Sequence, residues 1–401
     1  MVLLATTGER HYKLKLGGSK AIHRRRPDVM TDKRVRIFAT ADIGSPAIAR
    51  LREHGYEVEV YADLDPPPKS LIVEKVKSGI DVLITMLRDT VDEEVFSAGA
   101  PSLRVVAQMA VGVDNIDRAA ANRHRIPFTN TPDVLTEATA EFALFILGAL
   151  ARKLYQSERL VEENQWGSWH PYHPFLGDEV TGKTVAVIGV GRIGKAFAKK
   201  CVGLDVDLLL YNGSSQDETF VDHIDREMQL RYEAGFSPAR RSIGYTSFDE
   251  ALARADYVSL HVPLAMPGRS EKPTFHLMCR SAFELMKPSA YLINTSRGPV
   301  VDEQALYEAL IENRIAGAAL DVFEKEPLPE SSILRDARLK DRLRLFHHFA
   351  SGTRETRLSA DPDKGMAGRT VQAVIDVIEN NYGGDPARMP YVVNKEAFSK
   401  G

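Results

Sequence analysis

From Arg34 onward the chain alternates short apolar runs with amphipathic stretches. Val35-Arg36-Ile37-Phe38, Val58–Tyr61, Val82-Leu83-Ile84 and Leu103–Ala107 read as strands, with helices over Pro46–His54 and Leu71–Val76 and a turn at Asp65-Pro66-Pro67-Pro68. Strands and helices in this alternation predict a parallel sheet covered on both faces. That first unit ends near Pro132. A long helix opens at Thr136-Glu137-Ala138-Thr139, and Phe142, Leu144, Phe145 and Leu150 are expected to pack it. Beyond the aromatic segment Trp166–Phe175 a second series of strands covers Lys183–Ile188, Asp207–Tyr211, Tyr257–His261, Tyr291–Thr295 and Gly317–Val322. Ser214–Thr246 is charged and weakly patterned and reads as an insertion. The helix Met366–Asn380 comes too late for the second sheet and is expected to cross back to the first.

Within this series, Val187-Ile188-Gly189-Val190-Gly191-Arg192-Ile193-Gly194 stands between a strand and a helix. There Gly189 permits a tight turn, Gly191 lets backbone approach a pyrophosphate, and Gly194 lets the helix pack on its strand. The helix N-terminus offers N–H groups and positive dipole to the anion. The predicted fold is α/β, with two Rossmann-like or flavodoxin-like doubly wound parallel-sheet domains and a cleft between them. Residues 34–136 with 355–401 form a discontinuous substrate domain, and residues 137–354 the dinucleotide-binding domain.

Composition changes this picture little. A net charge of −3 over 401 residues gives no electrostatic reason to expect nucleic acid or an anionic membrane. Cys201 and Cys279 form no CxxC pair, which argues against a disulfide framework or a structural zinc site and fits a reducing cytoplasm. The apolar run Phe142–Ala151 is too short to span a bilayer. Met1–Lys33 differs from the rest. It is basic, with Arg24, Arg25 and Arg26 in a row, and reads as a solvated extension; a transit peptide and a nucleic-acid arm are the alternatives.

Three downstream segments carry candidate chemistry. Ile293–Asp302 ends a strand at a small-residue turn holding Arg297, whose fork suits a carboxylate or a polarised carbonyl; a surface arginine paired with Asp302 is the plain alternative. Ala318–Pro327 ends another strand in a charged loop with Asp321, Glu324 and Glu326, any of which alone reads as a solvated charge. Leu345–Ser351 sets His347 and His348 in an apolar run, as core histidines, a general acid/base, or metal ligands; adjacent residues point apart, so no metal is expected.

Together these segments resemble the D-isomer-specific 2-hydroxyacid dehydrogenase family from Arg34 to Phe398. Val111–Asp117, Thr129–Pro132, the glycine loop, His261-Val262-Pro263-Leu264, the Arg297 segment, Leu320–Pro327 and His348-Phe349-Ala350-Ser351 carry the resemblance. Trp169-His170-Pro171 with Phe175-Leu176-Gly177 is similar to the glyoxylate/hydroxypyruvate reductases within it. The resemblance implies NAD(P)H-dependent reduction of a small 2-oxo acid by hydride transfer, with Arg297, Glu326 and His348 catalytic. It implies cofactor contacts from Gly189, Gly191, Arg192, Ile193, Gly194, Asn212, His261, Val262, Pro263, Thr295 and Asp321. Substrate contacts fall to Leu87, Val111, Gly112, Arg297 and His348. His347 stands where the family usually has proline, so His348 is chosen on register. Arg88 is expected either to meet the substrate's side group or to pair with Asp89. Leu210-Tyr211-Asn212-Gly213-Ser214-Ser215 holds no acid at the place where NAD-preferring members carry one, which leans the cofactor toward NADP over NAD, with Asn212, Ser214 and Ser215 as hydrogen-bonding partners and Arg240 or Arg241 as the cation. The family pattern also implies a homodimer. A nucleotide-sensing corepressor-like binding protein is the alternative from another class, and D-lactate and phosphoglycerate dehydrogenases are rivals within the enzymes.

Overall fold

The computed structural model describes residues 34–171 and 175–399. The basic segment 1–33, read above as an extension, lies outside the described residues. β1 (Arg36–Ala39), β2 (Glu57–Val60), β3 (Val82–Thr85), β4 (Val105–Gln108) and β5 (Phe128–Thr129) form one parallel sheet, ordered β2-β1-β3-β4-β5. Strand alternation sorts its side chains to two faces. Ile37, Ala39, Val82, Ile84, Val105 and Ala107 meet Ile48 and Leu51 of the helix Ser45–Glu53 and Val371 and Val374 of the helix Met366–Ile378. Phe38, Leu83 and Val106 meet Ile72, Val76, Phe96 and Ala121 on the other face. The helix Met366–Ile378 therefore covers the first sheet although it follows the whole second sheet in sequence.

That second sheet comprises β6 (Thr184–Ile188), β7 (Asp207–Tyr211), β8 (Ile243–Tyr245), β9 (Tyr257–Leu260), β10 (Tyr291–Asn294), β11 (Gly317–Leu320) and β12 (Leu343–Leu345). All pair in parallel in the order β12-β11-β10-β9-β6-β7-β8. The strand order reverses beside β6, and the glycine loop leaves β6 at that switch point, where doubly wound sheets hold ligands.

Two expectations are corrected. Ser214–Thr246 is no insertion; it supplies the helix Glu218–Glu233 and the edge strand β8, paired Leu208↔Ile243 and Leu210↔Tyr245. Only Ile224 and Met228 of that helix are fully buried, which is why its pattern is weak. The helix Thr136–Ala151 packs through Ala140, Ala143, Leu147 and Ala151 against Ala196 and Phe197, because small side chains allow close approach to the helix Arg192–Cys201. Phe145, expected in that packing, is 67% exposed. Among the described residues no helix is long and apolar enough to cross a membrane.

Candidate active site

The carboxyl ends of both sheets open on one cavity of about 450 Å³. Leu87 after β3 and Val111 and Gly112 after β4 line it from the first sheet. Arg297 after β10 and His348 after β12 line it from the second.

The Arg297 turn is built by a buried residue that sequence reasoning missed. Asn294, at the end of β10, accepts hydrogen bonds from the Ser296 N–H and hydroxyl, each 3.0 Å, and donates to the Arg297 carbonyl at 3.0 Å. The Arg297 Nε then donates to Asp114 at 2.8 Å and Nη1 to the Ser296 carbonyl at 2.7 Å. The pairing with Asp302 does not occur; Asp302 caps the next helix by accepting from the Ala305 N–H at 3.0 Å. A Cβ on Gly112 would stand 1.6 Å from Arg297 Nη2, so only glycine lets the guanidinium lie against that backbone. The Val111 carbonyl accepts from Asn130 at 2.9 Å and the Gly112 carbonyl from Gln108 at 3.3 Å. Among the described residues the N–H groups of Val111 and Gly112 donate to no protein acceptor.

His348 is held in the left-handed region, φ 55, which a side chain adopts only when its surroundings demand it. Its N–H donates to the Asp321 carbonyl at 2.9 Å and its carbonyl accepts from Arg357 at 2.9 Å. The ring Nδ1 lies 2.8 Å from Glu326 Oε2, and Glu326 Oε1 accepts from the Phe323 N–H at 3.1 Å. Burial alone would raise the Glu326 carboxyl, but His348, the Phe323 amide and Arg297 together hold it below the ordinary carboxylate range. Glu326 thus stands behind the ring and leaves Nε2 for proton exchange. His347 is exposed and stacks on Phe349 at 5.1 Å, so the two imidazoles diverge and share no metal.

Asp321, expected as a cofactor ligand, also has a structural part. It lines the cleft, yet its two carboxylate oxygens accept from the Phe349 and Ala350 N–H groups at 2.6 and 2.8 Å. Burial raises its pKa, against those amides and His348. Its visible work is to fold the turn that presents His348.

The glycine loop fits a dinucleotide. Gly189 has φ 99, and a Cβ there would stand 2.7 Å from the His261 carbonyl carbon. A Cβ on Gly194 would stand 2.0 Å from the Gly189 oxygen, while Gly191 faces open space. The helix Arg192–Cys201 begins at that opening and directs its first N–H groups toward it. Arg192, Ile193, Val262 and Pro263 line the cleft beside it. Thr295 Oγ1 and His261 Nδ1 are buried there with no protein partner, as expected of atoms that complete their hydrogen bonds on a ligand. The His261 Nε2 lies 2.9 Å from the Ser259 hydroxyl, and burial pushes the ring down to about 3, so it stays neutral.

At the adenosine end the expected partners are engaged with protein groups. The Asn212 side chain is engaged by its own loop, accepting from the Val190 N–H at 3.2 Å and donating to the Ser214 hydroxyl and Ser215 carbonyl at 3.2 and 2.5 Å. Arg240 and Arg241 precede β8, at the sheet edge opposite the cleft, where Arg240 bonds Asp225 at 2.6 Å and Arg241 lies 3.7 Å from Asp207.

Behind Leu87 and Gly112 runs a further network. Gln108 donates to Asn115 at 2.7 Å, and Asn115 donates to the Asp89 and Met86 carbonyls at 2.7 and 3.1 Å. Thr85 donates to Gln108 at 2.6 Å, and Asp89 is buried against Thr40 and the Met86 N–H. Arg88 therefore does not pair with Asp89; it is exposed and donates to the Leu64 carbonyl. The only sequence signal for this network is the Val111–Asp117 motif, which contains Asn115.

Comparison with known proteins agrees with this geometry. Residues 144–348 match the model of the D-isomer specific 2-hydroxyacid dehydrogenase NAD binding domain. The chain is 41% identical over 324 residues to a glyoxylate reductase of Korarchaeum cryptofilum, covering 80% of this chain and 88% of that protein. It is 39% identical over 370 residues to a glyoxylate reductase of Thermococcus litoralis, covering 91% and 98%. The solved TT0316 protein of Thermus thermophilus superposes with a TM-score of 0.74 at 33% identity, covering 90% of this chain and all of that one. With the glycine loop, the Arg297 turn and the His348–Glu326 pair on one cleft, the chain belongs to the D-isomer specific 2-hydroxyacid dehydrogenases.

Proposed function

We propose that this enzyme reduces a small 2-oxo acid of the glyoxylate or hydroxypyruvate kind to the 2-hydroxy acid. The observation that carries the reading is the convergence of Arg297 and the His348–Glu326 pair on a cavity that the glycine loop also borders. The similarity to two glyoxylate reductases supports the choice of substrate. NAD(P)H, held by the glycine loop with Thr295 and His261, supplies the hydride when bound. The Val111 and Gly112 N–H groups and Arg297 bind the substrate carboxylate, and Arg297 also stabilises the charge that grows on the carbonyl oxygen. His348 delivers a proton to that oxygen from Nε2, and Glu326 on Nδ1 orients the ring. In the oxidative direction the neutral ring takes the proton back. Leu87 limits the size of the substituent.

The enzyme acts as a homodimer in the cytoplasm. Phe145, Leu154, Val161, Trp166, Trp169 and Leu176, all on the nucleotide-binding half, are large apolar side chains left exposed in the protomer and support self-association. Two free cysteines fit a reducing compartment. The test is oxidation of NADH and NADPH with glyoxylate, hydroxypyruvate and pyruvate. Turnover with the first two is expected to exceed that with pyruvate, and no turnover with any of them overturns the reading.

A further inference from the structure

The end of β7 lacks the acid that would grip ribose hydroxyls, and the cations expected there lie elsewhere. Arg240 and Arg241 sit on the far edge of the sheet, Arg192 is paired with Asp133 at 2.9 Å, and Lys195 with Asp217. Asp217 is the nearest acid in sequence after β7, and its other oxygen caps the helix Glu218–Glu233 through the Phe220 N–H at 3.0 Å. One cation remains. Lys272, from the loop after β9, lies across Gly213: a Cβ built on that glycine would meet Lys272 Cδ at 3.6 Å and Cβ at 4.0 Å. The ammonium is two bonds beyond that Cδ. Lys272 is exposed and joins no ion pair among the described residues.

Its loop is anchored at both ends. Thr274 donates from its hydroxyl to the Pro263 carbonyl at 2.6 Å and from its N–H to the Ala265 carbonyl at 2.8 Å. The Lys272 N–H donates to the Ser270 hydroxyl at 3.2 Å. The stem of Lys272 thereby lies over the turn where a doubly wound sheet receives the adenosine ribose. Gly213 is what admits it.

We propose that Lys272 is the specificity residue for a 2′-phosphate, making this a reductase that prefers NADPH. The proposal rests on the dinucleotide reading of the glycine loop and adds a partner supplied by a neighbouring loop, where the strand-end residues are engaged among themselves. An ammonium that joins no ion pair among the described residues favours the phosphorylated ribose by a charge-assisted hydrogen bond.

The test is calorimetric titration of the full-length chain with adenosine 2′,5′-bisphosphate and with 5′-AMP, for wild type, Lys272→Ala and Lys272→Arg. Wild type is expected to bind the bisphosphate at least about tenfold more tightly than 5′-AMP. Lys272→Ala should erase most of that difference and leave 5′-AMP binding unchanged, and Lys272→Arg should retain it. Equal binding of both nucleotides by wild type, or a Lys272→Ala loss shared by both, overturns the proposal. Glyoxylate reduction with NADH and with NADPH, followed in parallel, keeps the two readings apart. Failure with NADPH as well as NADH, with the bisphosphate preference intact, refutes only the substrate assignment, and turnover with no such preference refutes only the role of Lys272.

Discussion

The two walls of the cleft are built differently. The wall from the second sheet carries the titratable chemistry: Arg297, Glu326 and His348, each set on a turn after a strand. The wall from the first sheet offers backbone N–H groups, a glycine and Leu87, held from behind by uncharged amides, with Asp114 reaching across to Arg297. Both use one constructional device, a buried polar residue at or just past a strand end that bonds the backbone of its own or a neighbouring strand's turn. Asn294 does this for Arg297, Asp321 for His348, and Gln108 for Gly112. The difference lies in what each turn presents. Charge that must develop and proton transfer that must occur are assigned to one wall; recognition is assigned to the other.

Substitutions on the two walls should therefore separate. The largest effect is expected at His348. His348→Ala should lower kcat for glyoxylate reduction about 10³-fold, while His347→Ala, whose ring faces away on Phe349, stays within about twofold. Comparable losses in both variants would break the contrast. Arg297→Ala follows, with kcat/KM down about 10²- to 10³-fold. Gly112→Ala should displace the same guanidinium without removing it, because the added methyl occupies the place of Nη2; a steady-state loss smaller than that of Arg297→Ala is expected, chiefly in KM.

A milder change is expected for Glu326→Gln, which removes the charge behind the ring and keeps its shape. Reduction should fall about tenfold. Stability offers a second readout. Glu326 is depressed in the folded protein, so its ion pair contributes fully above the ordinary carboxylate range and is lost as pH falls through the depressed value. The difference in unfolding stability between wild type and Glu326→Gln, followed by denaturant titration, should shrink on acidification through that value. A difference that grows would contradict the pairing.

Much of this was legible in the sequence. The glycine loop and the strand-end segments with Arg297, Glu326 and His348 are contiguous motifs, and contiguous motifs survive without knowledge of packing. What could not be read depends on neighbours distant in sequence. β8 is a three-residue edge strand, half-buried throughout, with no alternation to betray it. Phe145 looks like core on an apolar helix until the alanines of Thr136–Ala151 turn out to make the close contact. Asn294 and Gln108 look like ordinary polar residues until burial gives their amides an obligatory role. Arg240 and Arg241 read as neighbours of the adenosine end only while the strand that carries them away goes unread. Lys272 meets Gly213 although the two are far apart in sequence, a proximity no local pattern carries.

The division of labour is tested most directly by measuring kcat and KM separately for Asn115→Ala beside Glu326→Gln, with glyoxylate and saturating cofactor. Asn115 braces the recognition wall alone, so Asn115→Ala should raise KM about fivefold or more with kcat within about twofold, while Glu326→Gln lowers kcat with KM nearly unchanged. A fall in kcat confined to Asn115→Ala, or a rise in KM confined to Glu326→Gln, would show that the two walls do not divide the reaction as described.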